Sequence, residues 1–253
     1  MTIKNPEISH APRLRALFAE AFDEEEAFLD DFFDLGFSPE RSLALFEGDE
    51  LLSALYWFDV YCRGEKTAYL YAIATRRDAR GRRLAADLIC EAHRRLRALG
   101  YRAAILVPNT PALFKYYRRL GYRDGTTISE FSCDSRATAA ELRTVGLAEY
   151  LALRERMLPE GAVIQTGEMM ELLTRDTELY AADGFLLAAR RQKSRLLGIE
   201  LLGNADAAPY ILAALNCREG LFRTPGEGKL FSMYFPLAEE ASRPEYFGIA
   251  LDL

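Results

Sequence analysis

The stretch from residue 67 to residue 120 most constrains the fold, because strand-like runs alternate there with amphipathic helical patterns. Thr67–Thr75 is apolar and aromatic almost throughout, which is typical of a strand buried on both faces. A leucine and alanine stripe from Leu84 to Leu99 predicts a helix, Ala103–Val107 a second buried strand, and Pro111–Leu120 another helix. Strand, helix and strand in this order predict a parallel pair with a right-handed crossover. We therefore expect an α/β protein with a mixed sheet.

The residues before this stretch predict two helices and a hairpin. Apolar residues at helical spacing cover Pro12–Phe22, and a second helical stretch runs over Glu24–Leu35. Ser42–Phe46 and Glu50–Tyr61 are predicted strands, joined by a turn at Gly48–Asp49.

The second half of the chain is less regular, and no linker-like composition marks where it begins. A boundary near Asp134–Arg136 divides the chain into domains 1–134 and 135–253. The predicted helices of the second domain are 139–158, 169–174 and 207–215, the last with Asp206 as N-cap. Its predicted strands are 185–190, 195–202, 230–236 and 247–251. This half is expected to be a smaller α+β unit.

Composition excludes several classes of protein. The 253 residues are 50% apolar and 28% charged, which fits a globular chain and not a disordered one. No apolar run approaches the roughly 18–20 residues of a membrane span, and no secretory signal opens the chain. Four scattered cysteines and two histidines argue against a disulfide framework or a metal site. We expect a cytoplasmic protein without metal or membrane partner. Its net charge of -6 also argues against nucleic acid, and the sequence leaves the oligomeric state open.

A basic loop follows the predicted strand Thr67–Thr75. Five arginines occur among residues 76–83, directly before the helix that begins near Leu84. Helix N-termini expose backbone N–H groups and bind phosphate well, so the loop is a candidate pyrophosphate site. A solvated basic loop at a sheet edge explains the same charge equally well. Neither a Walker loop nor a G-x-G-x-x-G fingerprint is present.

The run AIATRRDARGRRLAADLI resembles the acyl-coenzyme-A-binding segment of the GCN5-related N-acetyltransferases (GNAT), which carries the pattern [QR]-x-x-G-x-[GA]. Arg80 stands at its first position, Arg83 where its glycine is usual, and Ala85 at its last. The resemblance implies that the backbone of Ile73 and Thr75 pairs with the pantetheine arm. It also implies a pyrophosphate cradle formed by Arg80, Gly81, Arg82, Arg83, Leu84 and Ala85. We expect Arg83 to lie in the first helical turn, where negative φ tolerates a side chain.

Residues 109–122, NTPALFKYYRRLGY, resemble a later motif of the same family. That motif places an aromatic residue four positions before a glycine, which here is Tyr117 before Gly121. The resemblance implies that the Tyr117 hydroxyl protonates the leaving thiolate, a role that suits a phenol with a pKa of about 10. Tyr116 is the competing tyrosine. Asn109 is the expected polar cofactor contact, with Thr110 as its alternative.

The acceptor side is less defined by sequence. The predicted strand Thr67–Thr75 holds no carboxylate that serves as general base. An acidic run between residues 23 and 34, with Glu24 and Glu25, falls where the family's acceptor site lies; a solvated helix face is the alternative. The two-part organisation is similar to the enhanced-intracellular-survival type of acetyltransferase, with a degenerate second half. That resemblance implies a base role for the carboxylate of Leu253.

These observations together imply an acetyl-CoA-dependent N-acetyltransferase. Its acceptor is expected to be a primary amine of a small molecule or a peptide, which attacks the thioester directly. The alternative is a catalytically inactive GNAT-like module that senses the cofactor or binds a protein, since a shared fold does not establish activity.

Overall fold

The computed structural model describes residues 1–251, which form two compact units. The first unit contains residues 1–106, 110–123 and 233–242, and the second contains residues 107–109, 124–232 and 243–251. The division into domains 1–134 and 135–253 stays a prediction.

The elements have the following bounds. The helices are α1 Ala11–Phe22, α2 Glu26–Asp31, α3 Leu84–Ala98, α4 Pro111–Arg119, α5 Leu147–Met157, α6 Glu168–Leu173 and α7 Ala208–Ala214. The strands are β1 Thr2–Lys4, β2 Ser42–Glu47, β3 Glu50–Cys62, β4 Glu65–Thr75, β5 Ala103–Leu106, β6 Arg123–Asp124, β7 Thr127–Asp134, β8 Arg143–Thr144, β9 Val163–Gln165, β10 Glu178–Ala182, β11 Phe185–Gln192, β12 Arg195–Gly203, β13 Glu219–Pro225, β14 Lys229–Leu230 and β15 Met233–Pro236.

The first unit is a mixed sheet in which the strands follow the order β1-β2-β3-β4-β5-β15. Its neighbours are antiparallel except β4 and β5, which run parallel with α3 as their connection. The predicted parallel pair is therefore confirmed. One face of the sheet packs on the apolar stripe of α3, with Leu55, Trp57 and Leu70 in the shared core. Burying an aliphatic or aromatic side chain stabilises the fold by roughly 1.5–3 kcal/mol, so this stripe holds α3 against the sheet.

The strands β4 and β5 separate towards their carboxyl ends. They pair over Thr67–Tyr69 with residues 103–105. Beyond that point β4 continues to pair with β3, and a bulge shifts the register between Tyr71 and Ala74. Ala72 at the bulge has a φ of 47°, a left-handed conformation that is rare for a residue with a side chain. The bulge turns the end of β4 away from β5.

The second unit repeats part of this arrangement. Its sheet has the order β14-β7-β13-β12-β11-β10-β8, and β12 and β13 run parallel with α7 as their connection. A register shift opposite Ala188–Ala189 again places a bulge in the strand before the crossover. The loop into the helix differs, since residues 204–207 connect β12 to α7, whereas residues 76–83 connect β4 to α3. Two mixed sheets with this topology fit two GNAT-like halves.

A buried ion pair lies in the core of the second unit. The Arg154 guanidinium on α5 donates to both oxygens of Glu200 on β12, at 2.5 Å and 2.9 Å. The hydroxyls of Tyr150 and Tyr246 donate to the same carboxylate at 3.3 Å and 3.1 Å. Because every charge has several partners, the group ties α5, β12 and the segment around Tyr246 together.

The structure corrects two helix predictions in this unit. The predicted helix 139–158 begins only at Leu147, since Arg143–Thr144 pairs with β10 and Gly146 precedes the helix as its N-cap. The predicted cap Asp206 is wrong as well. Asn204 is the capping side chain, and it accepts the backbone N–H of Asp206 at the start of a 3₁₀ turn before α7.

Two strand predictions near the end of the chain are also corrected. The predicted strand 230–236 is two strands: β14 pairs with β7 in the second sheet, and β15 pairs with β5 in the first. Between them, the backbone N–H of Phe231 donates to the carbonyl of Thr126. Residues 247–251 do not form a strand although their side chains are buried. A side chain bonds their backbone where Gln165 donates to the carbonyl of Ile249 at 2.7 Å.

Candidate cofactor and active site

The loop from Arg76 to Arg83 connects the diverging end of β4 to α3. Helix α3 begins at Leu84, and Arg83 is its N-cap with a φ of 66° and a ψ of 10°. The expectation that Arg83 lies in the first turn with negative φ is therefore wrong. Arg83 precedes the helix, because α3 starts one residue later than the prediction assumed. Arg83, at the motif's glycine position, is left-handed in this chain, and glycine adopts that conformation without strain.

The backbone of this loop has two left-handed residues one position apart. Gly81 has a φ of 81° and Arg83 a φ of 66°, whereas Arg82 between them is not among the residues with positive φ. Left-handed residues that alternate with right-handed ones turn successive N–H groups to one side and make a concave anion site, so this loop is a candidate for one. The first N–H groups of α3, from Leu84 and Ala85 onwards, lack intrahelical acceptors and carry the positive end of the helix dipole. The loop thus offers a row of donors although an arginine replaces the usual glycine.

The five arginines of the loop differ in how they are neutralised. Arg76 bridges Glu50 at 3.0 Å and Asp78 at 2.6 Å, and Arg82 bridges Glu47 at 2.8 Å. Among residues 1–251, Arg77, Arg80 and Arg83 have no carboxylate partner within salt-bridge distance. Arg80 instead donates its Nε to the carbonyl of Thr75 at 3.1 Å, which fixes the guanidinium beside the end of β4. Its charge remains available to a phosphate.

The predicted pantetheine contacts lie on β4 directly after the bulge. Ile73 and Thr75 are both half-buried. The Thr75 hydroxyl is 2.9 Å from the Ser53 hydroxyl, which also donates to the carbonyl of Ala74 at 2.6 Å. These contacts hold the end of β4 to β3, on the side away from β5.

The two adjacent tyrosines of α4 have different environments. Tyr117 is 8% exposed and packs edge-on against Tyr122, with ring centroids 5.6 Å apart. Tyr116 is half-buried, and its burial raises the pKa of its hydroxyl while the Arg83 charge acts in the opposite direction. Thr110 caps α4 by accepting the N–H of Leu113 at 3.3 Å, so its side chain has a structural role. Asn109 precedes it and is exposed.

A buried polar contact joins helix α3 to the segment that follows α4. His93 Nε2 lies 2.8 Å from the Tyr122 hydroxyl, and the imidazole stacks on Phe235 at 4.0 Å. Burial, with a smaller contribution from Arg97, lowers the pKa of His93 to about 4. The ring is therefore neutral at physiological pH and positions α3.

The predicted acceptor residues are exposed at the connection between α1 and α2, where Glu24 precedes Glu25, the N-cap of α2. Leu253 lies outside the described residues. Sequence reasoning missed an aromatic cluster beside this connection, built by Phe18, Phe32, Phe33, Phe37 and Tyr56. Its signal in the sequence is the density of phenylalanine between residues 18 and 37.

No helix within residues 1–251 combines the length and the apolar character that a membrane crossing requires.

Comparison with known proteins agrees with this geometry. Residues 2–124 match the family model described as an acetyltransferase (GNAT) domain. That range contains β4, the arginine loop, α3, β5 and α4, which are the elements of the candidate site. A comparison with the curated proteins returns no significant match. The fold and the matched domain define an acyltransferase.

Solved structures extend the likeness over both units. A GCN5-related N-acetyltransferase from Anabaena variabilis aligns with a TM-score of 0.74 at 13% identity, covering 94% of this chain and 73% of that one. Eis1 from Mycobacterium abscessus aligns with a TM-score of 0.71 at 14% identity, over 95% and 75%. A tandem GNAT protein from the clavulanic acid biosynthesis pathway gives 0.62 at 11% identity, over 94% and 99%. What the comparisons show for this chain is thus a GNAT acetyltransferase domain over residues 2–124.

Proposed function

We propose that the protein transfers an acetyl group from acetyl-coenzyme A to a primary amine. The observation that carries this proposal is the loop 76–83, whose positive φ values at Gly81 and Arg83 form an anion-binding backbone at the start of α3. The pyrophosphate lies against these N–H groups, and Arg80 supplies a charged hydrogen bond. The left-handed Arg83 supports a retained cofactor site, because its conformation keeps the backbone in the shape that the motif's glycine provides.

The pantetheine arm extends along the free edge of β4 at Ile73 and Thr75, in the manner of an added strand. The divergence of β4 from β5 leaves this edge unpaired with β5 beyond Tyr69. Binding there fixes the thioester next to the sheet, and proximity and orientation supply much of the rate enhancement.

In the reaction the lone pair of the neutral amine attacks the thioester carbonyl carbon, and the carbon–sulfur bond breaks. The departing thiolate takes a proton from the Tyr117 hydroxyl, and the amine nitrogen gives its surplus proton to solvent water as the amide forms. Solvent then returns a proton to the Tyr117 oxygen. A tyrosine suits this role because an ordinary phenol, with a pKa of about 10, is protonated at neutral pH and can donate.

The cofactor site is tested by calorimetric titration with coenzyme A. Arg80→Ala removes a charged hydrogen bond and is expected to weaken binding by roughly 1.5–3 kcal/mol. Arg94→Ala is the matched control, since Arg94 is an exposed arginine of α3 that pairs with Glu91. Equal affinity of both variants and the unaltered protein would contradict the assignment.

The reaction is tested by thiol release from acetyl-coenzyme A with a panel of primary amines. Tyr117→Phe keeps the ring and removes the proton donor, so turnover is expected to fall about 10²–10⁴-fold while coenzyme A affinity is retained. Tyr116→Phe is the control and is expected to be nearly silent. Coenzyme A binding without turnover of any amine would favour the sensing or interaction module instead.

A further inference from the structure

The aromatic cluster of the first unit contains a buried hydroxyl without a partner. Tyr56 on β3 is 2% exposed, and within residues 1–251 its hydroxyl has no hydrogen-bond partner. Phe32 meets its ring edge-on at 5.1 Å between centroids, and Phe18, Phe33 and Phe37 surround it at 6.1–6.5 Å. Buried polar groups in folded proteins are almost always hydrogen-bonded, so an orphaned hydroxyl calls for an explanation.

The cluster lies beside the proposed reaction centre. Tyr56 pairs across the sheet with Tyr71, the residue directly before the bulge at Ala72. The same side of the sheet carries Phe18 of α1, whose ring is 6.0 Å from that of Tyr71. Directly beyond the bulge, at Ile73 and Thr75, β4 offers the edge at which the thioester arm is proposed to bind.

The outer part of the cluster is accessible and irregular. Phe28, Phe33 and Phe37 are half-buried, and Phe22 is 38% exposed. Residues Phe32–Gly36 form a π-helix, a conformation that is rare and is frequent at functional sites. Phe33 lies inside this segment and Phe37 directly follows it, so two of the half-buried rings stand where the helical hydrogen bonding departs from the regular pattern.

Acidic residues are close neighbours of these rings in the sequence. Asp23 follows Phe22, and Asp34 stands inside the π-helix next to Phe33. In the described part of the chain, the carboxylates of Asp23, Glu25 and Asp34 are not in salt bridges, whereas Glu26 and Asp30 pair with Arg15. Carboxylates at the rim attract a cationic amine, and the rings behind them accept an apolar body.

Resting on the proposed acetyl transfer, we infer that the acceptor is an arylalkylamine whose ring carries a hydroxyl. The aromatic ring packs on the half-buried rings of Phe33 and Phe37, its hydroxyl pairs with that of Tyr56, and the amine points towards the end of β4. The carboxylates attract the ammonium form before it loses its proton. A compact polar amine leaves Phe33 and Phe37 partly exposed and the Tyr56 hydroxyl unpaired.

Thiol release with four amines tests this inference: tyramine, its meta-hydroxy isomer, phenethylamine and ethanolamine. Phenethylamine is expected to exceed ethanolamine in kcat/KM by roughly a hundredfold, since even a single methylene in an apolar pocket is worth about 10–200-fold. One of the hydroxylated amines is expected to exceed phenethylamine by up to about tenfold, the value of a neutral hydrogen bond.

Tyr56→Phe is expected to remove the preference for the hydroxylated amine, so that its kcat/KM falls to that of phenethylamine measured with the same variant. Its thermal stability is expected to equal or exceed that of the unaltered protein, because an unpaired buried hydroxyl is lost. Tyr61→Phe, at an exposed tyrosine of the same strand, is the control and is expected to change neither the preference for the hydroxylated amine nor the thermal stability.

Ethanolamine acetylated as well as the aromatic amines would overturn the inference and leave the proposed acetyl transfer intact. A hydroxyl preference that survives in Tyr56→Phe would overturn the role of Tyr56. If none of the four amines nor any in the wider panel is acetylated while coenzyme A binds, the proposed function fails and the inference fails with it.

Discussion

Arg83→Gly is expected to make the protein more stable, although it removes a side chain. At a φ of 66° an L-residue is strained by roughly 1–2 kcal/mol, because its Cβ approaches the backbone too closely. Glycine avoids this strain, but it lowers the free energy of unfolding by about 0.5–1 kcal/mol because the unfolded chain gains conformational freedom. The net gain is about 0.5–1 kcal/mol. Within residues 1–251 no ion pair of the Arg83 side chain is broken by the change.

Arg83→Ala separates the effect of the backbone conformation on stability from the effect of the side-chain charge. Removing the guanidinium from the positive end of α3 stabilises the protein by at most a few tenths of a kcal/mol. Alanine still keeps a Cβ in the left-handed conformation. It is therefore expected to be close to the unaltered protein. For a chain of 253 residues, the glycine variant should melt about 1–4 °C higher than the alanine variant.

Differential scanning calorimetry of the three proteins measures this difference, and titration with coenzyme A reports on the loop. Arg83→Gly is expected to retain coenzyme A binding, because glycine keeps both the N–H group and the positive φ. Equal melting temperatures for the glycine and alanine variants would refute the strain argument, since only the backbone conformation distinguishes them.

Three further predictions follow from buried groups. Glu200→Ala leaves the Arg154 charge buried without a partner, so denaturant unfolding should show a loss of about 3–5 kcal/mol, and the double change Arg154→Met with Glu200→Leu should recover most of it. Gly248→Ala should destabilise the second unit by about 1–3 kcal/mol in the same assay, because its Cβ would collide with the Tyr246 hydroxyl and with Glu200. The pKa of His93 is about 4 when folded and near 6.5 when unfolded, so the unfolded chain binds the extra proton between these values. The melting temperature should therefore fall as the pH drops from 6.5 towards 4, and His93→Gln should flatten that slope.

The parallel core of the first unit could be predicted because each of its elements has a local pattern. The buried run of β4, the stripe of α3 and the apolar run of β5 each identify their element, and right-handed crossover geometry then orders them. Position and type of these elements agree with the structure to within two residues. The motifs of the candidate site lie where these elements join, so predicting the elements also predicted which elements the motifs connect.

Features set by tertiary contacts were not predictable in this way. Whether Arg83 caps α3 or enters its first turn differs by one residue, which is below the precision of pattern-based helix ends. The break between β14 and β15 depends on which sheet each half joins, and the run 230–236 is uniformly strand-like. Residues 247–251 are apolar because they are buried, and side chains such as Gln165 satisfy their backbone. The orphaned hydroxyl of Tyr56 needs three-dimensional neighbours to be recognised.

The short connection between β12 and α7 has a practical consequence. The second unit keeps a strand–helix–strand frame but offers only residues 204–207 at this junction, half as many as the eight residues 76–83 in the first unit. The frame can therefore accept a transplanted loop. Splicing residues 76–83 and the first turn of α3 into this junction would place a second copy of the proposed cofactor loop on a scaffold that already carries the parallel pair and the preceding bulge.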